Sequence, residues 1–204
     1  MKNLKVLVTC GPTWVAIDDV RVISNQSSGE MGHLIAEQFL TRGAQVTLLE
    51  GAVTHAWKNS SVKVIKYRFF DELEKNLRAE LKKKYDYVIH AAAVSDFKLA
   101  KALKGKIDSS ESLTLKLVPV RKLIDGIKKK SPQTFLVGFK LEPDLKMDNV
   151  VQQTKGLFEK AYCDLVVANS LEGGYKGFIV DADGQVLAKA NNKKNIAKAL
   201  IKLM

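Results

Sequence analysis

The chain has 204 residues, 46% hydrophobic and 27% charged, with 33 Lys and Arg against 22 Asp and Glu for a formal charge of +11. That length suits one domain with a core of its own, and no run approaches the roughly 18 consecutive apolar residues of a membrane span, which excludes membrane-spanning and disordered classes. The positive balance calls for an anionic partner, whether nucleic acid, an acidic membrane surface or phosphorylated small molecules, without choosing among them.

In chain order, residues 4–9 form an apolar first strand that runs into Gly11-Pro12-Thr13, a turn signal. After an irregular segment, Met31, Leu34, Ile35 and Phe39 recur at helical spacing, and Arg42-Gly43 closes that helix. Strands follow at 44–49 and 62–65, then a helix over 71–83 with Leu73, Leu77 and Leu81 on one face. The most apolar strand, 87–91, leads through small residues into a polar stretch over 98–112, rich in Lys, Gly and Ser, which reads as a flap. Residues 113–118 alternate as a strand, and 135–139 and 165–168 are short apolar runs separated by helical stretches. Phe178-Ile179-Val180 and Val186-Leu187-Ala188 flank Asp181-Ala182-Asp183-Gly184 as a hairpin, and a helix carrying Ile196, Leu200, Ile201 and Leu203 ends the chain.

Strands alternating with helices predict a single α/β domain over 1–204. Its sheet is doubly wound, mostly parallel and Rossmann-like, with helices on both faces, a flap and a C-terminal hairpin. In such sheets ligands collect beyond the carboxyl ends of the strands, which points to the loops after Thr9, Ala91, Phe139 and Ala168. The N-terminus enters the first strand with no signal-peptide pattern, and the two cysteines, Cys10 and Cys163, sit in or beside apolar runs, so a cytoplasmic location and no disulfide framework are expected. His33, His55 and His90 are scattered and no Cys-x-x-Cys pair occurs, so no structural metal is expected. The lysine clusters at 82–84, 128–130 and 193–194 lie at or beside helix ends, where cations complement the helix dipole.

The chemistry is written after the first strand. Gly11, and then Ser27-Ser28-Gly29 before Glu30-Met31-Gly32, place small residues around a helix start, whose free N–H groups and dipole suit phosphate oxygens. Between them lie Arg21, able to grip phosphate or carboxylate in a fork, and Asn25, whose amide can donate to an oxyanion.

Arg21-Val22-Ile23-Ser24-Asn25 with Ser27-Ser28-Gly29 and Met31-Gly32 resembles the opening motif of the phosphopantothenate:cysteine ligases, or phosphopantothenoylcysteine synthetases. Ala92-Ala93-Val94-Ser95-Asp96-Phe97 looks like the family's second motif, Lys106-Ile107 like its flap lysine, and Gly138-Phe139-Lys140-Leu141-Glu142 and Val167-Ala168-Asn169 like its later strand ends. These co-linear motifs span nearly the whole chain.

The resemblance implies a two-step ligation in which a nucleotidyl group from CTP or ATP activates the carboxylate of 4'-phosphopantothenate and L-cysteine then displaces it, in coenzyme A biosynthesis. It implies that Asn25 holds the acyl-nucleotidylate and that Lys106 neutralises charge on the reacting phosphate. Arg21, Ala92 and Ala93 fall to the substrate, and Gly11, Ser28, Gly29, Asp96, Phe139 and Lys155 to the nucleotide. Mg²⁺ is implied by the triphosphate, with no metal residues named. A homodimer is implied as well, with residues 113–118 as either a pairing arm or an internal edge strand. Val120-Arg121-Lys122 stands where many bacterial members carry an Asn-Pro-Asp type of segment, which leaves CTP and ATP both open. The chain has no room for the flavin-dependent decarboxylase fused to many bacterial members, so a stand-alone ligase is expected, acting on small molecules rather than nucleic acid or membranes.

Two other readings compete. Strand, glycine turn, helix and a second strand ending at Glu50 imitate the dinucleotide fingerprint of NAD(P)-dependent oxidoreductases, although the glycines come only after a long Arg- and Asn-bearing loop and no Tyr-x-x-x-Lys pair occurs. A basic nucleic-acid-binding protein would need aromatics interleaved with its lysines, and these clusters lack them.

Overall fold

A computed structural model describes residues 3–101, 103–108, 110 and 112–204. Strand β1 (Lys5–Cys10) is buried from Val6 to Cys10, and its near-continuous apolar run is what a strand covered on both faces requires. A small hairpin follows, β2 (Trp14–Ala16) and β3 (Val22–Ser24), then α1 (Glu30–Leu40), β4 (Gln45–Glu50), β5 (Lys63–Lys66), α2 (Phe70–Leu81) and β6 (Tyr87–His90). The second half contains β7 (Phe97–Leu99), β8 (Leu117–Pro119), a 3-10 turn at Ile124–Gly126 leading into the one-turn α3 (Ile127–Lys130), β9 (Phe135–Leu141), α4 (Val150–Ala161), β10 (Leu165–Ser170), β11 (Lys176–Asp181), β12 (Val186–Ala190) and α5 (Lys193–Lys202).

The main sheet runs β12-β11-β10-β9-β6-β1-β4-β5. Every pair from β5 across to β10 is parallel, and β11 and β12 extend the sheet as an antiparallel hairpin. From β1 the chain goes outward through β4 and β5, then returns to β6 on the other side of β1. The junction of β1 and β6 is therefore the switch point at which such sheets bind ligands.

Side-chain alternation along the strands sorts most of the core onto two faces of the sheet, beside a smaller third cluster of Leu145, Val150, Ala168, Phe178 and Val180. Val6, Val8, Val46, Leu48 and Ile89 face α1 and α5, meeting Ile35, Phe39, Ile196 and Leu200. Leu7, Leu49, Val88 and Leu136 face the other way, onto Leu73, Leu77 and Leu81 of α2 and Ile127 of α3. A Cβ on Gly32 would stand 2.4 Å from the Cβ of Cys10, so α1 is laid directly on β1 at the one position where its sequence carries no side chain.

Three expectations need adjusting. The segment after β1 is not irregular throughout, since β2 and β3 pair antiparallel within it. Of the strand predicted over 113–118, only the last part is strand: Leu117–Pro119 pairs antiparallel with Phe97–Leu99, which makes it an edge of an internal two-stranded sheet. The flap stretch predicted from 98 accordingly begins inside β7, and within it residues 102, 109 and 111 lie outside the described residues. The C-terminal hairpin turns at Gly184 (φ 78°), where Asp181 Oδ1 accepts the Gln185 N–H.

No described helix is long and apolar enough to cross a membrane. The lysine clusters are partly neutralised within the fold, Lys83 by Glu80 at 2.7 Å, Lys128 by Asp164 at 2.7 Å and Lys193 by Glu30 at 2.6 Å.

Candidate functional site

The loops leaving β1 and β6 are sewn together. The Ala93 N–H donates to the Gly11 carbonyl at 2.9 Å, and Thr13 N–H returns a bond to the Ala93 carbonyl at 3.3 Å. The Thr13 hydroxyl accepts Ser95 N–H at 2.8 Å, and the Thr9 hydroxyl accepts Ala92 N–H at 3.2 Å. Asn25 reaches the same seam from the end of the β2–β3 hairpin, its Nδ2 donating to the carbonyls of Ala93 at 3.2 Å and Val94 at 3.3 Å. Asn25, Ala92, Ala93 and Gly11, predicted from separate stretches of sequence, thus meet at the switch point.

The N-terminus of α1 opens onto this seam. Its cap is Gly29, at φ 75°, with no side-chain capping bond, and Ser28 contributes only a 3.4 Å contact from Glu30 N–H to its hydroxyl. Gly11 is also left-handed (φ 81°), and a Cβ on Gly11 or Gly29 would come within 2.7 or 2.6 Å of Val53 Cγ1. Both positions need glycine for conformation and for space, and together they bring the free N–H groups and positive dipole end of the helix to the β1 loop, an arrangement suited to phosphate.

The remaining predicted residues are placed with less unity. Lys106 is exposed on a segment that docks against the turn between β2 and β3. Arg21 lies in that turn and commits Nη1 to Asp18 Oδ2 at 2.9 Å and to the Ile107 carbonyl at 3.2 Å. Asp96 is exposed beyond β6 and ion-paired with Lys122, so the stretch 120–122 that departs from the family pattern supplies a cation to the second motif. Phe139 is half-buried near the end of β9 and packs against the α1–α5 side of the core. Lys155, on the exposed side of α4, faces Glu159 at 3.4 Å, and among the described residues no bond joins it to the β1–β6 seam.

Sequence reasoning gave no role to Thr9, Thr13, Asp18 or His90, whose importance depends on partners more than 80 positions away. His90, at the end of β6, is buried and exchanges a 3.0 Å hydrogen bond between Nδ1 and the Thr9 hydroxyl. Burial pushes its pKa down to about 4, so it stands neutral beneath the seam. Asp18 is shut from solvent, and burial works against its charge. Hydrogen bonds from Val20, Ile107 and Arg21 N–H and the Arg21 guanidinium outweigh this and hold its pKa below the usual value. Burial pushes the Cys10 thiol up to about 12, which removes it as a nucleophile.

Glu50 decides against the dinucleotide reading. A ribose-binding acid at the end of the second parallel strand must present its carboxylate to a ligand. Here the Glu50 side chain has no exposure and is consumed by His33 Nε2 at 2.6 Å, Trp57 N–H at 2.8 Å and the Lys66 ammonium. Burial and the Lys66 charge keep His33 below its ordinary pKa, consistent with a neutral ring that donates to Glu50. Cys10, His33 and Glu50 have metal-ligand spacing, but both oxygens of the Glu50 carboxylate are already engaged, one by His33 Nε2 and one by the Lys66 ammonium.

Comparison with known proteins gives the chain's relatives. Over 175 residues, 84% of the chain, it is 42% identical to the coenzyme A biosynthesis bifunctional protein CoaBC of Thermococcus kodakarensis, of which the match covers 42%. It is 32% identical to the protein of the same name from Haemophilus influenzae over an aligned span of 206 positions that covers all of this chain and 50% of that protein. The chain thus spans about half the length of the curated relatives it matches. Among solved structures, the DNA/pantothenate metabolism flavoprotein from Streptococcus pneumoniae superposes with a TM-score of 0.87 at 26% identity, covering 98% of this chain and 97% of that one. Residues 1–203 match the DNA/pantothenate metabolism flavoprotein C-terminal domain, and the chain belongs to that family.

Proposed function

We propose that this chain is a single ligase domain that joins 4'-phosphopantothenate to L-cysteine, with CTP or ATP as the activating co-substrate. The observation that carries the reading is the seam itself: the Asn25 amide fixed on the Ala93 and Val94 carbonyls beside the uncapped, glycine-started N-terminus of α1. That arrangement can hold two anions together, as formation of an acyl-nucleotidylate demands. A carboxylate oxygen of phosphopantothenate bonds to the α-phosphorus as pyrophosphate leaves. The cysteine amine then bonds to the acyl carbon, loses a proton and expels the nucleoside monophosphate.

In this reading Asn25 holds the acyl-nucleotidylate, and Arg21 with Ala92 and Ala93 takes the phosphopantothenate. Gly11, Ser28 and Gly29 receive the nucleotide phosphates, while Asp96, Phe139 and Lys155 belong to the rest of the nucleotide site. Lys106 offsets charge gathering on the reacting phosphate. With the triphosphate bound, Mg²⁺ would supply further charge neutralisation. Cys10 and Cys163, buried and unpaired, suit a cytoplasmic reaction.

The test is pyrophosphate release by the purified protein with Mg²⁺, 4'-phosphopantothenate and cysteine, CTP and ATP being tried separately. Release that requires phosphopantothenate, with coupled product when cysteine is present, is the expected result and assigns the nucleotide. A folded sample that turns over neither nucleotide ends the reading.

The same reading includes a homodimer, supported by exposed apolar side chains on the two small sheets. Val20, Val22 and Ile23 on the β2–β3 hairpin, and Phe97 and Leu117 on β7 and β8, are all at least 37% exposed, and β2 lies beside β7. Such a patch is costly to leave in water. Sedimentation velocity at micromolar concentration is expected to give a dimer, and Ile23→Glu with Phe97→Glu a folded monomer; a monomeric wild-type chain excludes the dimer.

A further inference from the structure

Lys106 is tied down on both sides by one short turn more than 80 residues away. On one side Gly105 N–H donates to Asp19 Oδ2 at 3.1 Å and Gly105 carbonyl accepts Asp19 N–H at 3.4 Å. On the other, Ile107 N–H donates to Asp18 Oδ2 at 3.1 Å and Ile107 carbonyl accepts Arg21 Nη1 at 3.2 Å. Asp18 is the hub: Oδ1 accepts Val20 N–H at 2.9 Å and Arg21 N–H at 2.7 Å, closing the β2–β3 turn, while Oδ2 takes Arg21 Nη1 at 2.9 Å as well as Ile107.

We propose that Asp18 is a positioning residue, whose carboxylate latches residues 105–107 onto the β2–β3 turn and so fixes where the Lys106 ammonium stands. The assignment rests on the reading of Lys106 as the lysine of the reacting phosphate. Its chemical basis is that two oxygens of one buried group each accept bonds, one for the turn and one for the segment. A neutral amide has a single acceptor oxygen, so Asp18→Asn sets an N–H₂ group against N–H donors on one side or the other. The Asp18 carboxylate thereby links the hairpin that ends in Asn25 to the segment that carries Lys106.

The experiment combines limited trypsin digestion without ligands and nucleotidyl-transfer kinetics, on wild type, Asp18→Asn, Asp19→Ala, Lys106→Ala and Asp18→Asn/Lys106→Ala. Asp19 is exposed, so its variant keeps the fold even if Asp18→Asn does not. Cleavage after Lys104 and Lys106 is expected to rise about tenfold in Asp18→Asn and less in Asp19→Ala, with other sites unchanged. In Asp18→Asn kcat should fall toward the Lys106→Ala level while KM for cysteine stays put, and the double variant should be no slower than Lys106→Ala alone, as for two residues acting as one unit. Unchanged cleavage in both aspartate variants overturns the latch. Faster cleavage with wild-type kcat in Asp18→Asn, while Lys106→Ala is impaired, overturns the positioning role. Faster cleavage with wild-type kcat in both Asp18→Asn and Lys106→Ala upholds the latch and overturns the reading of the lysine.

Discussion

Lys106→Ala is expected to slow nucleotidyl transfer by about a hundredfold, with the melting temperature unchanged. The side chain is exposed, and among the described residues no ion pair uses it, so its removal uncovers no buried group and opens no cavity. In the proposed reaction it removes a cation from a step in which a carboxylate and a triphosphate must approach and charge shifts onto the departing pyrophosphate. Loss of one well-placed stabilising donor of that kind typically lowers turnover by about 10²–10³. Asn25→Ala should fail differently, because the Asn25 amide is the hinge between the hairpin and the Ala93–Val94 carbonyls. There the ratio of pyrophosphate released to coupled product should rise above one, as an acyl-nucleotidylate that is no longer held is lost to water. A single-turnover assay that follows pyrophosphate and product together separates the two. Wild-type transfer in Lys106→Ala, or a ratio that stays at one in Asn25→Ala, removes the corresponding assignment.

The parts of the fold that were legible are those in which one local pattern decides the structure. The run Val6-Leu7-Val8-Thr9-Cys10 is apolar because both faces are covered, and Leu73, Leu77 and Leu81 share a stripe because one side of α2 is buried. The β2–β3 hairpin carried no such pattern. Val22, Ile23 and Ser24 are all exposed, so alternation between core and solvent was never imposed on them, and three residues are too few to register otherwise. The alternation of residues 113–118 had the opposite effect: it looked like a six-residue strand, yet pairing with Phe97–Leu99 begins only at Leu117.

The site divides in the same manner. Gly11, Gly29, Asn25 and the Ala92–Ala93 pair stand in recognisable order in the sequence, and the fold brings them together at the β1–β6 seam. Asp18, three residues before Arg21, gives no local sign of a wider role, since an aspartate in a turn ordinarily caps its own backbone, as this one does with Val20 and Arg21. The second half of its work, the bond to Ile107, joins residues 89 apart and leaves no trace in either local segment. Glu50 is the opposite case. Its position matches that of a ribose-binding acid, and only the packing of His33, Trp57 and Lys66 around it shows that the carboxylate is turned inward.

His90 should set the acid limit of the domain. Its pKa is about 4 in the folded chain against 6.5 for a free imidazole, because the buried ring beneath the seam cannot be hydrated when charged. Between those values the unfolded chain binds more protons than the folded one. The stabilisation is therefore complete above pH 6.5 and lost as pH falls, by about 2 kcal/mol at pH 5 and about 3 kcal/mol near pH 4. That is a large share of the roughly 5–15 kcal/mol by which domains of this kind are stable. His33, also held below its ordinary pKa, adds a loss of the same sign, so the slope must be assigned by substitution. In urea titrations between pH 7.5 and 5, His90→Asn should start less stable than wild type, since it disturbs the Thr9 bond, and should lose less as pH falls. Parallel slopes in the two proteins would show that His90 titrates normally. Because the Thr9 hydroxyl bonds both His90 and Ala92 N–H, charging the ring should loosen the seam at its root, and the β1–β6 junction should be the first part of the sheet to lose amide protection in acid.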